Sequence, residues 1–246
     1  MSQDLSGKTA VITGASSGIG AATARHLAEA GADVALLARR EDRLSDLADE
    51  LGSDEVKAVP VECDVTDRDS VASAAEKVKS EFGSVDILIN NAGQMLLAPF
   101  SPKRHDETRQ MIEINLLGAM TVLEAFLADL KDGGGDLVNI SSVAGRTAKP
   151  GSSVYNATKW GLNGWSEALR QELLGKVRVI VIEPGAVDTE LPDHITHEKA
   201  KKGAEQLYED VAIAADDVAE LITFAVTRPQ RTSLNEIIIR PSQQEL

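Results

Sequence analysis

The chain of 246 residues has a single cysteine, Cys63, so no intrachain disulfide can form. Cys63 sits between apolar neighbours in VECDV, where a small core residue is expected rather than a reactive thiol. No apolar run reaches the roughly 18 residues of a membrane span. The opening MSQDLSGKTA has no basic stretch followed by an apolar core, so no secretory signal is expected. Positive charge is scarce, with 25 Lys and Arg against 39 Asp and Glu, a formal net charge of −14. Nucleic acid and anionic membrane both require a basic footprint, so neither is an expected partner. The acidity serves solubility, or it marks adaptation to a salt-rich cytoplasm in which carboxylate repulsion is screened. There is also no internal repeat, low-complexity tract or Pro/Gly-rich linker. One domain spanning 1–246 and a cytoplasmic location are expected.

The composition is 43% apolar and 26% charged, as in a soluble globular protein. Short apolar runs alternate with amphipathic stretches. The runs are TAVIT (9–13), VALLA (34–38), KAVPV (57–61), DILIN (86–90), DLVNI (136–140), RVIVI (178–182) and EIIIR (236–240). Each has strand length, and the stretches between them are long enough for helices. Continuous rather than alternating apolar strands argue for a parallel sheet covered on both faces, an α/β doubly wound fold of seven strands. Residues 186–213 break the rhythm. They are polar, partly helical in pattern and strandless, and they read as a lid-like insertion or as a solvated surface helix. His194 and His197 lie three apart in it, but no third ligand is in view and no metal is expected.

Strand one runs into TGASSGIG (13–20), which places Gly14, Gly18 and Gly20 around a strand-to-helix turn. Glycine permits positive φ and close approach of a ligand to the backbone, and the helix N-terminus that follows suits a diphosphate. The spacing is G-x3-G-x-G. It is neither G-x-G-x-x-G nor a P-loop, which would carry GK[ST]. The second strand ends in VALLARRED. An acidic residue at that position grips the ribose hydroxyls of NAD, whereas Arg39 and Arg40 suit the 2′-phosphate of NADP.

TGASSGIG, CDV (63–65), NNAG (90–93), EINLLG, ISSVAG, YNATK and EPGAVDT (183–189) follow one another in an order that resembles the short-chain dehydrogenase/reductase family over essentially the whole chain. The resemblance implies an NADP-dependent oxidoreductase, usually a homo-oligomer and commonly a tetramer. It implies a catalytic tetrad of Asn115, Ser142, Tyr155 and Lys159. It also implies that Ser16, Ser17, Ile19, Asp64, Val65, Asn91, Ala92, Gly93, Pro184, Gly185, Val187 and Thr189 hold the cofactor beside the three turn glycines, Arg39, Arg40, Tyr155 and Lys159. Within the family, the motifs and the ending NEIIIRP look most similar to the clavulanic-aldehyde reductases and the NADP-dependent 3-hydroxy-acid (serine-type) dehydrogenases.

Tyr155 and Lys159 are i and i+4 and share a helix face. An ammonium about 4 Å from the phenolic oxygen would stabilise the phenolate by about 4 kcal/mol at an effective dielectric near 20. That predicts a tyrosine pKa between about 7 and 9, suited to acid–base work. Ser142, thirteen residues before Tyr155, would donate to the substrate oxygen. The resemblance gives Asn115 a supporting role beside Lys159. Expected pocket residues are Gln94, Met95, Leu96, Val143, Arg146, Ala186, Leu191 and His194. Arg146 would meet a substrate carboxylate, as in a 3-oxo acid, or pair with an acidic neighbour and leave neutral aldehydes and ketones as substrates. A dinucleotide-binding sensor without catalysis is the alternative outside enzymes. Helices 108–130 and 153–174, the second carrying Trp160 and Trp165, suit subunit packing unless both tryptophans are core.

Overall fold

Each of the seven apolar runs becomes a strand in a computed structural model that describes residues 4–244. Met1–Gln3 of the N-terminal stretch, and the last two residues, lie outside the described residues. In chain order the elements are β1 (Thr9–Thr13), α1 (Gly18–Glu29), β2 (Asp33–Ala38), α2 (Glu41–Leu51), β3 (Ala58–Glu62), α3 (Arg68–Phe82), β4 (Ile87–Asn90), α4 (His105–Ile112) and α5 (Ala119–Gly133). They continue with β5 (Asp136–Ile140), α6 (Ser153–Glu172), β6 (Arg178–Pro184), α7 (Glu198–Val211), α8 (Ala215–Val226) and β7 (Glu236–Ile239). All neighbours in the sheet are parallel, in the order β3-β2-β1-β4-β5-β6-β7.

The pleat explains why the strands lack an apolar–polar alternation. Ala10, Ile12 and Leu36 pack on one face with Leu27 of α1, Leu44 of α2 and Ile222 of α8. Val11, Leu37, Leu88 and Leu137 pack on the other with Val71 and Val78 of α3 and Val122 and Phe126 of α5. In the inner strands both faces are dry, so successive positions are apolar along most of each strand. Each fully buried Leu or Ile contributes about 1.5–3 kcal/mol relative to exposure. At the amino ends of the strands, Arg178 pairs with Asp136 (Nη2 to Oδ2 2.6 Å), both buried. Its guanidinium also donates to the carbonyls of Val226 (2.9 Å) and Arg228 (2.8 Å). Carbonyls left without partners at the end of α8 are thereby satisfied.

The predicted long helix 108–130 is interrupted. Between α4 and α5 the chain makes a π-helical turn, Glu113–Gly118. Gly118 permits it to pass close to the end of β3, since a Cβ there would fall 2.8 Å from Val65 Cγ2. The compound helix Pro102–Gly133 is long and apolar enough, by length and composition, to cross a membrane. Here Val122, Leu123, Phe126 and Leu130 place its apolar side in the core, as a core helix does. Residues 186–213 hold a single 3-10 turn, Leu191–His194, and α7. Val187 and Ile213 form an isolated parallel bridge, so the segment leaves and returns at one place. After β3 the chain crosses back to β4 beside β1. That reversal opens a crevice at the carboxyl ends of the strands, where ligands bind in such sheets.

Candidate active site

The crevice is a cleft of about 320 Å³. Its phosphate end is the turn after β1. Gly14 and Gly18 have φ of 66° and 54°, the left-handed region that favours glycine. A Cβ at Gly20 would fall 2.5 Å from Asn91 Nδ2. Thr13, which the sequence reading passed over, staples the turn to the end of β4. Its Oγ1 accepts from the backbone N–H groups of Asn91 and Ala92, each at 3.0 Å, while Asn91 Nδ2 donates to the Thr13 carbonyl at 3.0 Å. No side chain caps α1. The Ser16 and Ser17 hydroxyls instead accept from Arg40 (Nη2 at 2.9 and 2.8 Å). The first N–H groups of α1 are left for an anion, in a cradle that a Cβ would fill. These residues fit a diphosphate.

Arg40 also donates to Glu190. Arg39 is exposed and lends its charge to Asp64. Burial pulls the Asp64 carboxyl up, but hydrogen bonds from Thr66 (N 2.9 Å, Oγ1 2.7 Å) and the Arg39 charge together hold it below the usual range. Of the residues expected to hold the cofactor, all but Gly20 line the cleft, and Gly20 lies behind the turn in close packing.

At the other end Asn115, Ser142, Tyr155 and Lys159 come together, all buried. The π-helical turn carries Asn115 inward, where its Oδ1 accepts from Gln94 N (2.7 Å). Its Nδ2 donates to the Gln94 carbonyl (2.9 Å) and to Thr158 Oγ1 (3.1 Å). Asn115 therefore fixes the loop after β4. Lys159 Nζ donates to the Ile140 carbonyl at 2.8 Å and lies 5.8 Å from the centre of the Tyr155 ring. Burial pulls its ammonium down to about 8. The expected depression of Tyr155 is corrected. Burial, then the nearby Tyr208 phenol, push Tyr155 well above the ordinary phenol range, against the opposing effect of the Ser142 hydroxyl. The expectation placed the ammonium on the phenolic oxygen, but Lys159 is anchored on a backbone carbonyl and desolvation dominates.

Gln94, Met95, Leu191 and His194 line the cleft, whereas Leu96, Val143 and Ala186 do not. Arg146 is a second correction, because it does not reach the cleft. Its Nε donates to both oxygens of Glu183 (2.8 and 3.0 Å), which is fully buried, and its Nη2 pairs with Glu236. Tyr208 of α7 and Glu190 are among the lining residues that went unpredicted. Tyr208 packs with Ala200 and Ala204, an i, i+4, i+8 stripe that could have revealed the inward face of α7, and burial raises its phenol to about 12. His197 accepts from Ala200 N–H (3.2 Å) and caps α7. Among the described residues no cluster of three or more His, Cys, Asp or Glu could hold a metal. Cys63 is buried, and burial raises its thiol to about 11.

A family model described as short chain dehydrogenase matches residues 8–200. An uncharacterised oxidoreductase of Staphylococcus saprophyticus is 42% identical over 243 residues, covering 97% of this chain and 98% of its own. Among solved structures, an alcohol dehydrogenase from the archaeon Thermococcus sibiricus complexed with 5-hydroxy-NADP superposes with a TM-score of 0.88 at 33% identity, over 97% of this chain and 98% of that one. The closed form of a serine dehydrogenase complexed with NADP+ gives 0.89 at 32% identity, over 97% and 96%.

Proposed function

The chain belongs to the short-chain dehydrogenase/reductase family, and on that footing we propose that it reduces a small, uncharged aldehyde or ketone, with Tyr155 as proton donor. NADP(H) is its cofactor. The glycine turn, Arg40 with Ser16 and Ser17, and Asp64 would hold the cofactor, which when bound supplies hydride to the carbonyl carbon. Lys159 keeps two N–H bonds beyond the one given to Ile140, and these suit the nicotinamide ribose hydroxyls. Asn115 holds the Gln94 loop in place, and in the family's mechanism it would also support a water beside Lys159. The Ser142 hydroxyl accepts from the Ala144 N–H (3.1 Å), but it donates only a long bond to the Pro184 carbonyl, 3.5 Å, so its proton can turn toward a substrate oxygen as negative charge builds there.

The observation that carries the reading is the buried Tyr155 phenol beside Ser142 at the cleft. Burial keeps its proton on at neutral pH. An alkoxide formed by hydride addition is a far stronger base than a phenolate, so the proton still moves to it. Oxidation would run through the same phenolate in reverse, so the protonated Tyr155 suits the donor role in reduction and the direction of flux is set by the cofactor and carbonyl concentrations. The uncharged substrate follows from Arg146 being engaged by Glu183 and Glu236. The substrate end is lined instead by Met95, Leu191 and Tyr208, with Gln94 and His194 beside them. A 3-oxo acid is the second reading, favoured by the likeness to the serine dehydrogenase.

In this proposal the chain is one NADP-binding domain with a lid at 186–213, a cytoplasmic protein and a homo-oligomer, tetramers being the expected form. Trp165 packs on the core, but Trp160 is 52% exposed on α6 and Leu117 is 51% exposed before α5, an apolar face suited to subunit contact.

The test is NADPH oxidation against neutral aldehydes, ketones and 3-oxo acids, with Tyr155→Phe as control. Turnover should be found with neutral carbonyls and fall about 10²- to 10⁴-fold in the variant. Turnover confined to 3-oxo acids would overturn the uncharged substrate. Binding of NADPH without any turnover would favour the sensor.

A further inference from the structure

Thr189 and Glu190 cross the mouth of the cofactor cleft. Thr189 is so close to the glycine turn that a Cβ on Gly18 would fall 2.9 Å from its Cγ2. Glu190 reaches from the 186–213 segment to the corner between β2 and α2. Its Oε2 accepts from Arg40 Nη1 at 2.9 Å, and its Oε1 accepts from Arg43 Nη1 at 2.6 Å. The other edge of Arg40 lies on Ser16 and Ser17. Two guanidinium groups therefore share one carboxylate at the place where Arg40, bonded to the turn, would take a 2′-phosphate. Each N–H of Arg40 and Arg43 donates in one direction. A phosphate dianion and the Glu190 carboxylate cannot use the same N–H groups, and they repel each other.

We infer that Glu190 is a cofactor-specificity residue whose carboxylate competes with the 2′-phosphate of NADP(H) for Arg40 and Arg43. The inference rests on NADP(H) being the cofactor and deepens that reading. Binding of the phosphorylated cofactor releases residues 186–213 from the β2–α2 corner. NAD(H) has no phosphate at this position and leaves the contact closed. Glu190 thus holds NADP(H) affinity below what the two arginines alone would give, because a ligand that must open a closed contact binds with the affinity of the open fraction. The three side chains are 38–44% exposed, so solvent weakens the competition and its size belongs at the low end of coupling between sites.

Isothermal titration of NADPH and NADH into the full chain reads this without turnover. Glu190→Gln should tighten NADPH about fivefold and leave NADH unchanged. In an Arg40→Met, Arg43→Met background the same substitution should do nothing, because the groups competed for are gone. NADPH binding that is unchanged or weaker in Glu190→Gln would overturn the inference, as would equal tightening of both cofactors. If the unsubstituted chain binds neither cofactor, or NADH as tightly as NADPH, the NADP reading itself fails and this inference with it. That outcome is seen before any variant is made.

Discussion

The floor of the cleft and the segment that covers it are built on opposite terms. On the floor, Asn115, Ser142, Tyr155 and Lys159 are all buried. Backbone carbonyls and N–H groups at the ends of β4 and β5 fix the two best-anchored of them, Asn115 and Lys159. The cover, residues 186–213, buries Ala186, Val187, Pro192, Ile195 and Ala204, and polar contacts fasten it at its rim. Glu190 holds Arg40 and Arg43 at one side. At the other, Thr196 Oγ1 donates to Glu107 (2.7 Å) and accepts from Arg104 (2.7 Å). Exposed polar contacts of this kind contribute about 0–1 kcal/mol each, whereas a buried polar group left without a partner costs about 1–3 kcal/mol. The molecule is therefore stiff where a proton is handled and cheap to open where ligands enter.

The largest expected effect tests the stiffness of the floor. Glu183 lies in β6 directly before Pro184, fully buried, with Arg146 on both of its oxygens and Asn163 Nδ2 on one. Burial already pushes its carboxyl above the usual range, and Arg146 opposes that. Arg146→Met leaves Asn163 as its partner. The loss should be about 2 kcal/mol, below the 3–5 kcal/mol of a fully buried pair because Arg146 is 41% exposed. Urea unfolding measures it. Relative rates on 3-oxo acids and neutral carbonyls should not change. A selective loss on the acids would return Arg146 to the substrate and break the contrast.

The next effect is on pH dependence. Burial lowers Lys159 to about 8, so its charge is present below that pH and is lost as pH rises through it. Burial raises Tyr155, so its proton stays on across the same range. Reduction needs both, and the rate should be level near neutrality and fall about tenfold per unit above pH 8. Glu190→Gln should leave that limb where it is, because the cover does not set the floor's protonation. A rate that climbs between pH 7 and 9 would mean that Tyr155 gives up its proton in this range and that burial does not hold it there.

Much of the floor was legible because its signals are local. Unbroken Val, Ile and Leu runs mark two-faced strands, glycines mark the turn, and YNATK sets Tyr155 and Lys159 on one helix face. The two corrections at the site concern contacts between residues distant in the chain. Nothing near Lys159 says that its ammonium rests on the Ile140 carbonyl rather than on the phenol. Nothing near Arg146 names Glu183, 37 residues on, as its partner. The π-helical turn at Asn115 is invisible to a period of 3.6, since the apolar pattern runs through it. The cover was read as polar because its apolar stripe is short. That hid Tyr208, and Glu190 looked like one more surface carboxylate in a chain of net charge −14.

The smallest effect falls on the cover's other fastening. Thr196→Val keeps the shape and removes both bonds of Oγ1, while Arg104 and Glu107 stay paired to each other. Thr196 is exposed, so water replaces its partners and stability should change by less than about 0.5 kcal/mol. The cover closes over the substrate end, where Leu191 and Tyr208 lie, and losing one fastening of about 0.4 kcal/mol should raise KM for the carbonyl about twofold with kcat little changed. Steady-state kinetics beside a thermal melt separates the two readouts. A melt that falls as far as a buried, unpartnered group demands, with KM unmoved, would mean that the cover is part of the rigid frame. The 186–213 segment would then be structural, and the difference between floor and cover would be one of exposure alone.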